Sequence, residues 1–207
     1  GSDVVVNASS YRSEPTPWSI HSMNHIVFRR SSDAEGREFD ADLSIIQGKV
    51  IQLQLPTHLE HISSTRIRRL LREGDTESAT RLLGRPYALE ATVVKGKRLG
   101  RALGFPTANI ELPQGVIVPR HGVYACRAYV GKESYLAVCN VGNRPTVQGH
   151  QVRTETWLLD FDGDLYGQSV TLEFMYFLRP EQRFESLDAL KEAVLCDAEN
   201  TRKFFEK

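Results

Sequence analysis

The spacing of apolar positions changes partway along the chain. Before residue 84 they come as short isolated runs or at helical intervals; from Tyr87 onward they alternate. DVVVN at 3–7, HIVFRR at 25–30 and GKVIQLQL at 48–55 predict short strands, set among Ser-, Pro-, Asp- and Glu-rich loop over 8–42. In ISSTRIRRLLREGD, Ser63 or Ser64 can cap a helix whose apolar stripe is Ile67, Leu70 and Leu71, with Gly74 as its stop. TESATRLLG repeats that form, with Thr76 as the expected cap and Gly84 as the stop.

Beyond Pro86 the runs YALEATVVK, GVYACRAYV, SYLAVCNV, VRTETWLLDF and SVTLEFMYFL read as strands separated by Gly, Pro and Asp turns. Five or six strands at that spacing predict a closed or nearly closed antiparallel barrel. A last helix follows, capped by Ser186, with Leu187, Leu190, Val194 and Ala198 on the face that would cover the sheet. The change of period puts the domain boundary between residues 84 and 85, giving segments 1–84 and 85–207.

Composition narrows the function classes. Of 207 residues 41% are apolar and 25% charged, enough to bury a core, and 26 basic side chains balance 26 acidic ones. With no basic excess, binding of nucleic acid through bulk charge is not expected. No apolar run approaches membrane-spanning length and no signal peptide is visible. Cys126, Cys139 and Cys196 form no C-x-x-C pair, which argues against a zinc site or a disulfide framework and suits a reducing, cytoplasmic setting. Gly1-Ser2 reads as the scar of a protease cleavage site.

Four stretches carry candidate chemistry. GKRLGRALGFPTAN at 96–109 follows a strand with Gly96, Gly100 and Gly104, whose backbone can approach an anion closely. It is neither a Walker loop nor a dinucleotide fingerprint. Within it, Thr107 and Asn109 offer two neutral oxygens from one side of an extended segment, the hard ligands that Mg²⁺ takes beside phosphate and water; equally, they could close a turn. Glu155, in VRTETWLLDF, shares a strand face with Arg153, Trp157, Leu159 and Phe161. Partial desolvation there would raise its pKa and suit it to accept a proton; a rim salt bridge is the simpler alternative. NVGNRPT at 140–146 reads as a strand end and turn. LRPEQRF at 178–184 joins the last strand to the final helix, and its Arg179 and Phe184 could clamp a planar ligand.

In order and spacing, LGFPTAN, GVYA, NVGNRPT, ETWLLDFDGDLYG and LRPEQRF resemble the riboflavin kinase family over about 120 residues. The resemblance implies a mainly β fold, a six-stranded antiparallel Greek-key barrel with a C-terminal helix, which makes FMN from riboflavin and ATP with Mg²⁺. By position it implies that Gly96, Arg101, Thr107, Asn109 and Tyr166 contact ATP, Thr107 and Asn109 also holding Mg²⁺. Glu155 would be the base for the ribityl 5′-hydroxyl, and Arg179 and Phe184 would hold the flavin.

The earlier segment is similar to the junction of bifunctional FAD synthetases, in which an α/β FMN adenylyltransferase domain precedes the kinase. There Ser63, Ser64, Thr65 and Arg68 match a nucleotide-site stretch. None of the six histidines sits in the H-x-G-H motif of those domains, so residues 1–84 read as an incomplete adenylyltransferase-like remnant. A flavin-binding regulatory module with little turnover, and residual FAD synthesis, are the alternatives to an FMN-forming kinase.

Overall fold

The computed structural model describes residues 25–29, 48–54, 62–96, 100, 103–113, 115–146 and 149–206. They belong to two compact units divided between Ser63 and Ser64. The strand expected at 3–7, and the loop 8–42 apart from 25–29, lie outside the described residues. In the first unit, strands β1 (His25–Arg29) and β2 (Val50–Gln54) pair in parallel, His25 opposite Val50. Both coincide with expected apolar runs, and a parallel ladder is the form of pairing used in α/β domains.

The second unit opens with helices α1 (Ser64–Glu73) and α2 (Thr76–Leu83). Leu71 of the expected stripe is buried, and Gly84 closes α2 in the left-handed conformation at φ 72°. The cap of α2 differs from expectation. Asp75 takes that position, its Oδ1 accepting from the Ser78 amide at 2.9 Å. The Thr76 hydroxyl turns away and donates to the Met175 carbonyl at 3.0 Å. Thr76 is thereby buried against the sheet together with Ala79, and the Arg120 amide donates to the Leu71 carbonyl at 2.9 Å. Through these contacts both helices pack with the strands that follow them.

Those strands are β3 (Tyr87–Val94), β4 (Ala108–Glu111), β5 (Gly122–Val130), β6 (Glu133–Thr146), β7 (Gly149–Leu158) and β8 (Ser169–Arg179). They close as β3-β4-β7-β6-β5-β8, every pairing antiparallel, which is the barrel the sequence implied. Alternation sends Ile110, Tyr124, Cys126, Cys139, Leu172 and Phe174 inside. The Tyr124 and Phe174 rings meet edge to face, 5.4 Å between centroids. Burial raises the Tyr124 phenol and pushes the Cys126 thiol up.

Helix α3 (Leu187–Phe205) covers part of the outer surface, with Ser186 capping it through the Ala189 amide at 3.1 Å. Ala198 packs with Val123, Val138 and Leu159 on the outside of the sheet. Leu187, expected on that face, is 54% exposed, because the first residue of the helix precedes its contact with the strands. Near the other end, the Arg202 guanidinium donates to both carboxylate oxygens of Asp160 at 2.8 and 2.9 Å and holds that carboxyl below its ordinary range.

Candidate active site

β4 and β7 build the centre of the site. Ala108 and Ile110 point into the barrel, so Asn109 between them projects to the outer face. It is nonetheless only 6% exposed, because Gly96 lies against its amide. A Cβ at Gly96 would overlap that amide, and one at Gly100 would approach the Phe105 carbonyl to 2.5 Å and the Thr107 hydroxyl to 3.3 Å. Two glycines of the 96–104 loop therefore bring backbone onto the two side chains nominated as metal ligands. Among the described residues no cluster of three His, Cys, Asp or Glu could hold a metal. The neutral oxygens of Thr107 and Asn109 fit a Mg²⁺ whose charge is balanced by substrate phosphate instead.

Thr154, Thr156 and Leu158 of β7 face inward, leaving Arg153, Glu155 and Trp157 outward. Two of the companions expected for Glu155 are elsewhere. The strand stops at Leu158 and the chain turns through Asp160 at φ 60°. Leu159 joins the packing beneath α3, while Phe161 packs toward the barrel interior. The remaining face has another pattern: Glu155 stands directly between Asn109 on β4 and Asn140 on β6. Arg153 is paired with Glu111 rather than with Glu155.

Two cavities share Thr107, two residues before Asn109 of this row. One, of about 240 Å³, lies between the outer sheet face and α3; Thr107, Asn140, Glu155, Arg179, Glu181 and Phe184 line it, over apolar walls that include Val123, Val138, Trp157 and Val194. The other, of about 630 Å³, is lined by Lys95, Pro106, Thr107, Phe161, Asp164 and Tyr166. Thr107 belongs to both. The residues nominated for flavin, Arg179 and Phe184, thus share one cavity with Glu155, and Tyr166 lies in the other. Gly96 and Asn109 line neither cavity but touch each other beside Thr107. Arg101 lies outside the described residues.

Arg179 is fixed from α3. Its Nε and Nη2 donate to the buried Asp197 carboxylate at 3.0 and 2.7 Å, and its Nη1 donates to the Pro180 carbonyl at 3.2 Å. The guanidinium then sits 5.7 Å from the Phe184 ring centroid. Asp197 was missed in the sequence, although an acid at the i+3 position from Val194 interrupts the apolar stripe of the helix. Asn140 and Glu181 were also missed; each lay in a recognised motif without a role. Tyr166 is held by its amide, which donates to Asp164 Oδ1 at 2.9 Å.

The profile of the flavokinase family, whose description is riboflavin kinase, matches residues 83–205. A bifunctional riboflavin kinase/FMN adenylyltransferase of Pseudomonas fluorescens is 40% identical over 168 residues, 80% of this chain and 54% of that protein. The protein of the same description from Escherichia coli K12 is 43% identical over 145 residues, 70% of this chain and 46% of that one. The chain spans about half the length of these curated relatives. A Streptococcus pneumoniae crystal structure, described as a macrolide-efflux protein, superposes with a TM-score of 0.69 at 34% identity, over 77% of this chain and 53% of that one. Among the described residues of the present chain, no helix is long and apolar enough to cross a membrane.

Proposed function

The chain belongs to the riboflavin kinase family, and from that premise we propose that its barrel transfers the γ-phosphoryl group of ATP to the 5′-hydroxyl of riboflavin, giving FMN and ADP. The observation that carries the proposal is the shared wall at Thr107: an apolar-walled slot lined by the Glu155 carboxylate meets a second cavity at one hydroxyl. Riboflavin lies in the cavity under α3, its ring over the apolar wall and beside Phe184 and Arg179. ATP lies in the cavity of Tyr166 and Lys95, with its phosphates toward Thr107 and Gly96, and Arg101 is a further proposed contact.

Glu155 takes the proton of the 5′-hydroxyl as that oxygen bonds to the γ-phosphorus, and the bond from phosphorus to the bridging oxygen breaks to release ADP. Thr107 and Asn109 would hold Mg²⁺, which when bound neutralises phosphate charge. The chain itself supplies position and a proton acceptor; no covalent nucleophile is needed. An α/β, adenylyltransferase-like character for the segment before the barrel is supported by the parallel pair of β1 and β2.

Incubation of the chain with riboflavin, ATP and Mg²⁺ tests this directly. FMN with equimolar ADP is the expected result. Flavin bound but unmodified would favour a binding module, and FAD with pyrophosphate would assign adenylyl transfer to this chain as well.

A further inference from the structure

We infer that Asn140 and Glu181 form a polyol-reading strip that positions the ribityl chain of the flavin against Glu155. This rests on the riboflavin-site reading above and deepens it. The strip begins with the register. Asn109, Glu155 and Asn140 face one another across β4, β7 and β6. Neighbouring strands lie about 4.8 Å apart, so the row spans roughly 10 Å along the cavity wall. Glu181 extends it: the Asn140 amide nitrogen donates to Glu181 Oε1 at 3.5 Å. Amide and carboxylate therefore alternate from the proposed phosphate end toward α3.

The orientation of Asn140 follows from Glu181. A carboxylate can only accept, so the amide nitrogen must face it and the oxygen must face away. That oxygen, Oδ1, is shielded from solvent and receives no hydrogen bond among the described residues. A buried acceptor without a donor is costly, and Glu155, directly opposite, is another acceptor. What the row lacks is donors, and a chain of secondary hydroxyls supplies them. The N-V-G sequence of the motif has a reason in the same place. Gly142, two residues along the same face, leaves the space that the Glu181 carboxylate occupies. Glycine makes room for Glu181, Glu181 orients Asn140, and Asn140 presents an unmet acceptor beside the proposed base. With the 5′-hydroxyl at Glu155, the rest of the polyol runs over Asn140 toward Glu181 and leaves the ring at Val138 and Phe184.

The test compares equilibrium binding of riboflavin with that of lumiflavin, which has the same ring and no polyol, followed by flavin fluorescence without ATP. The intact chain should bind riboflavin roughly ten- to a hundredfold more tightly than lumiflavin, the range expected for hydrogen bonds involving charged groups. Asn140→Leu and, separately, Glu181→Leu should each lower that ratio several-fold while leaving lumiflavin affinity unchanged. Unchanged lumiflavin binding also reports an intact fold, and the exposed Glu181 provides a second variant should Asn140→Leu fail to fold. Asn140→Asp, which keeps acceptors, should lose less than Asn140→Leu. A riboflavin-to-lumiflavin ratio that is near one in the intact chain, or is the same in both leucine variants as in the intact chain, overturns the inference. FMN formation is scored apart: a ratio that falls as expected in a chain making no FMN sustains the strip and refutes only the kinase reading.

Discussion

Asp197→Ala separates what the Arg179 ion pair contributes to stability from what it contributes to binding. Asp197 is 4% exposed and the Arg179 side chain 22%, so removing the carboxylate strands a mostly covered guanidinium whose remaining acceptor is the Pro180 carbonyl. Breaking a fully buried pair costs about 3–5 kcal/mol, and partial hydration of Arg179 brings the expected loss to about 2–3 kcal/mol. For a domain of this size that corresponds to a fall in Tm of roughly 5–10 °C, readable by calorimetry. The exposed pair of Arg202 with Asp160 is the control, and Asp160→Ala should shift Tm far less. Freed from α3, Arg179 no longer holds its place above Phe184, so KM for riboflavin should rise while KM for ATP stays near its original value. An unchanged Tm would refute the energetic reasoning. Equal rises in both KM values would refute the assignment of Arg179 to the flavin side.

Glu155→Gln should reduce kcat by about 10²–10⁴-fold with riboflavin binding retained, since the amide cannot accept the proton; near-normal turnover would remove Glu155 from its role. Gly96→Ala should cut kcat/KM for ATP by about a hundredfold, because its backbone is not in the left-handed region yet its Cβ would displace the Asn109 amide. Thr107→Ala and Asn109→Ala should weaken ATP binding more with Mg²⁺ present than without, and equal effects would count against the ligand assignment. Deleting residues 1–84 should cost the barrel about 2–4 kcal/mol by uncovering the surfaces that Leu71 and Ala79 bury. In the native protein a thiol reagent should label exposed Cys196 quickly, and reach Cys126 and Cys139 only on unfolding.

How far the sequence could be read depended on the range of the interactions involved. The strand Ser169–Arg179 follows from periodicity because alternate residues Val170, Leu172 and Phe174 are buried, and the long final helix follows from apolar positions such as Ala198 that pack on the sheet. β4 is four residues long, too short for alternation to announce it, and it appeared only as an extended segment holding Thr107 and Asn109. The cap of α2 was misplaced by one residue because a hydroxyl on β8's side of the helix found a carbonyl 99 positions away. Glu155 was nominated from its strand, but its true neighbours are set by register, which joins residues 109, 155 and 140 and leaves no local mark. The partnership of Arg179 with Asp197 was closer to legible, since an acid on an apolar helix face calls for a buried cation.

Thr107 stands where two separate openings meet, and this has a kinetic corollary. Flavin and nucleotide would each enter through a doorway of its own, so neither obstructs the other, and the reactive complex could be assembled in either sequence. Product departure would be equally independent: ADP need not wait for FMN. Initial-rate patterns should then intersect rather than run parallel, and FMN should inhibit competitively against riboflavin and ADP competitively against ATP. Mutational drift could also retune the flavin slot under α3 while sparing the nucleotide side, with the threonine as the one residue answerable to both.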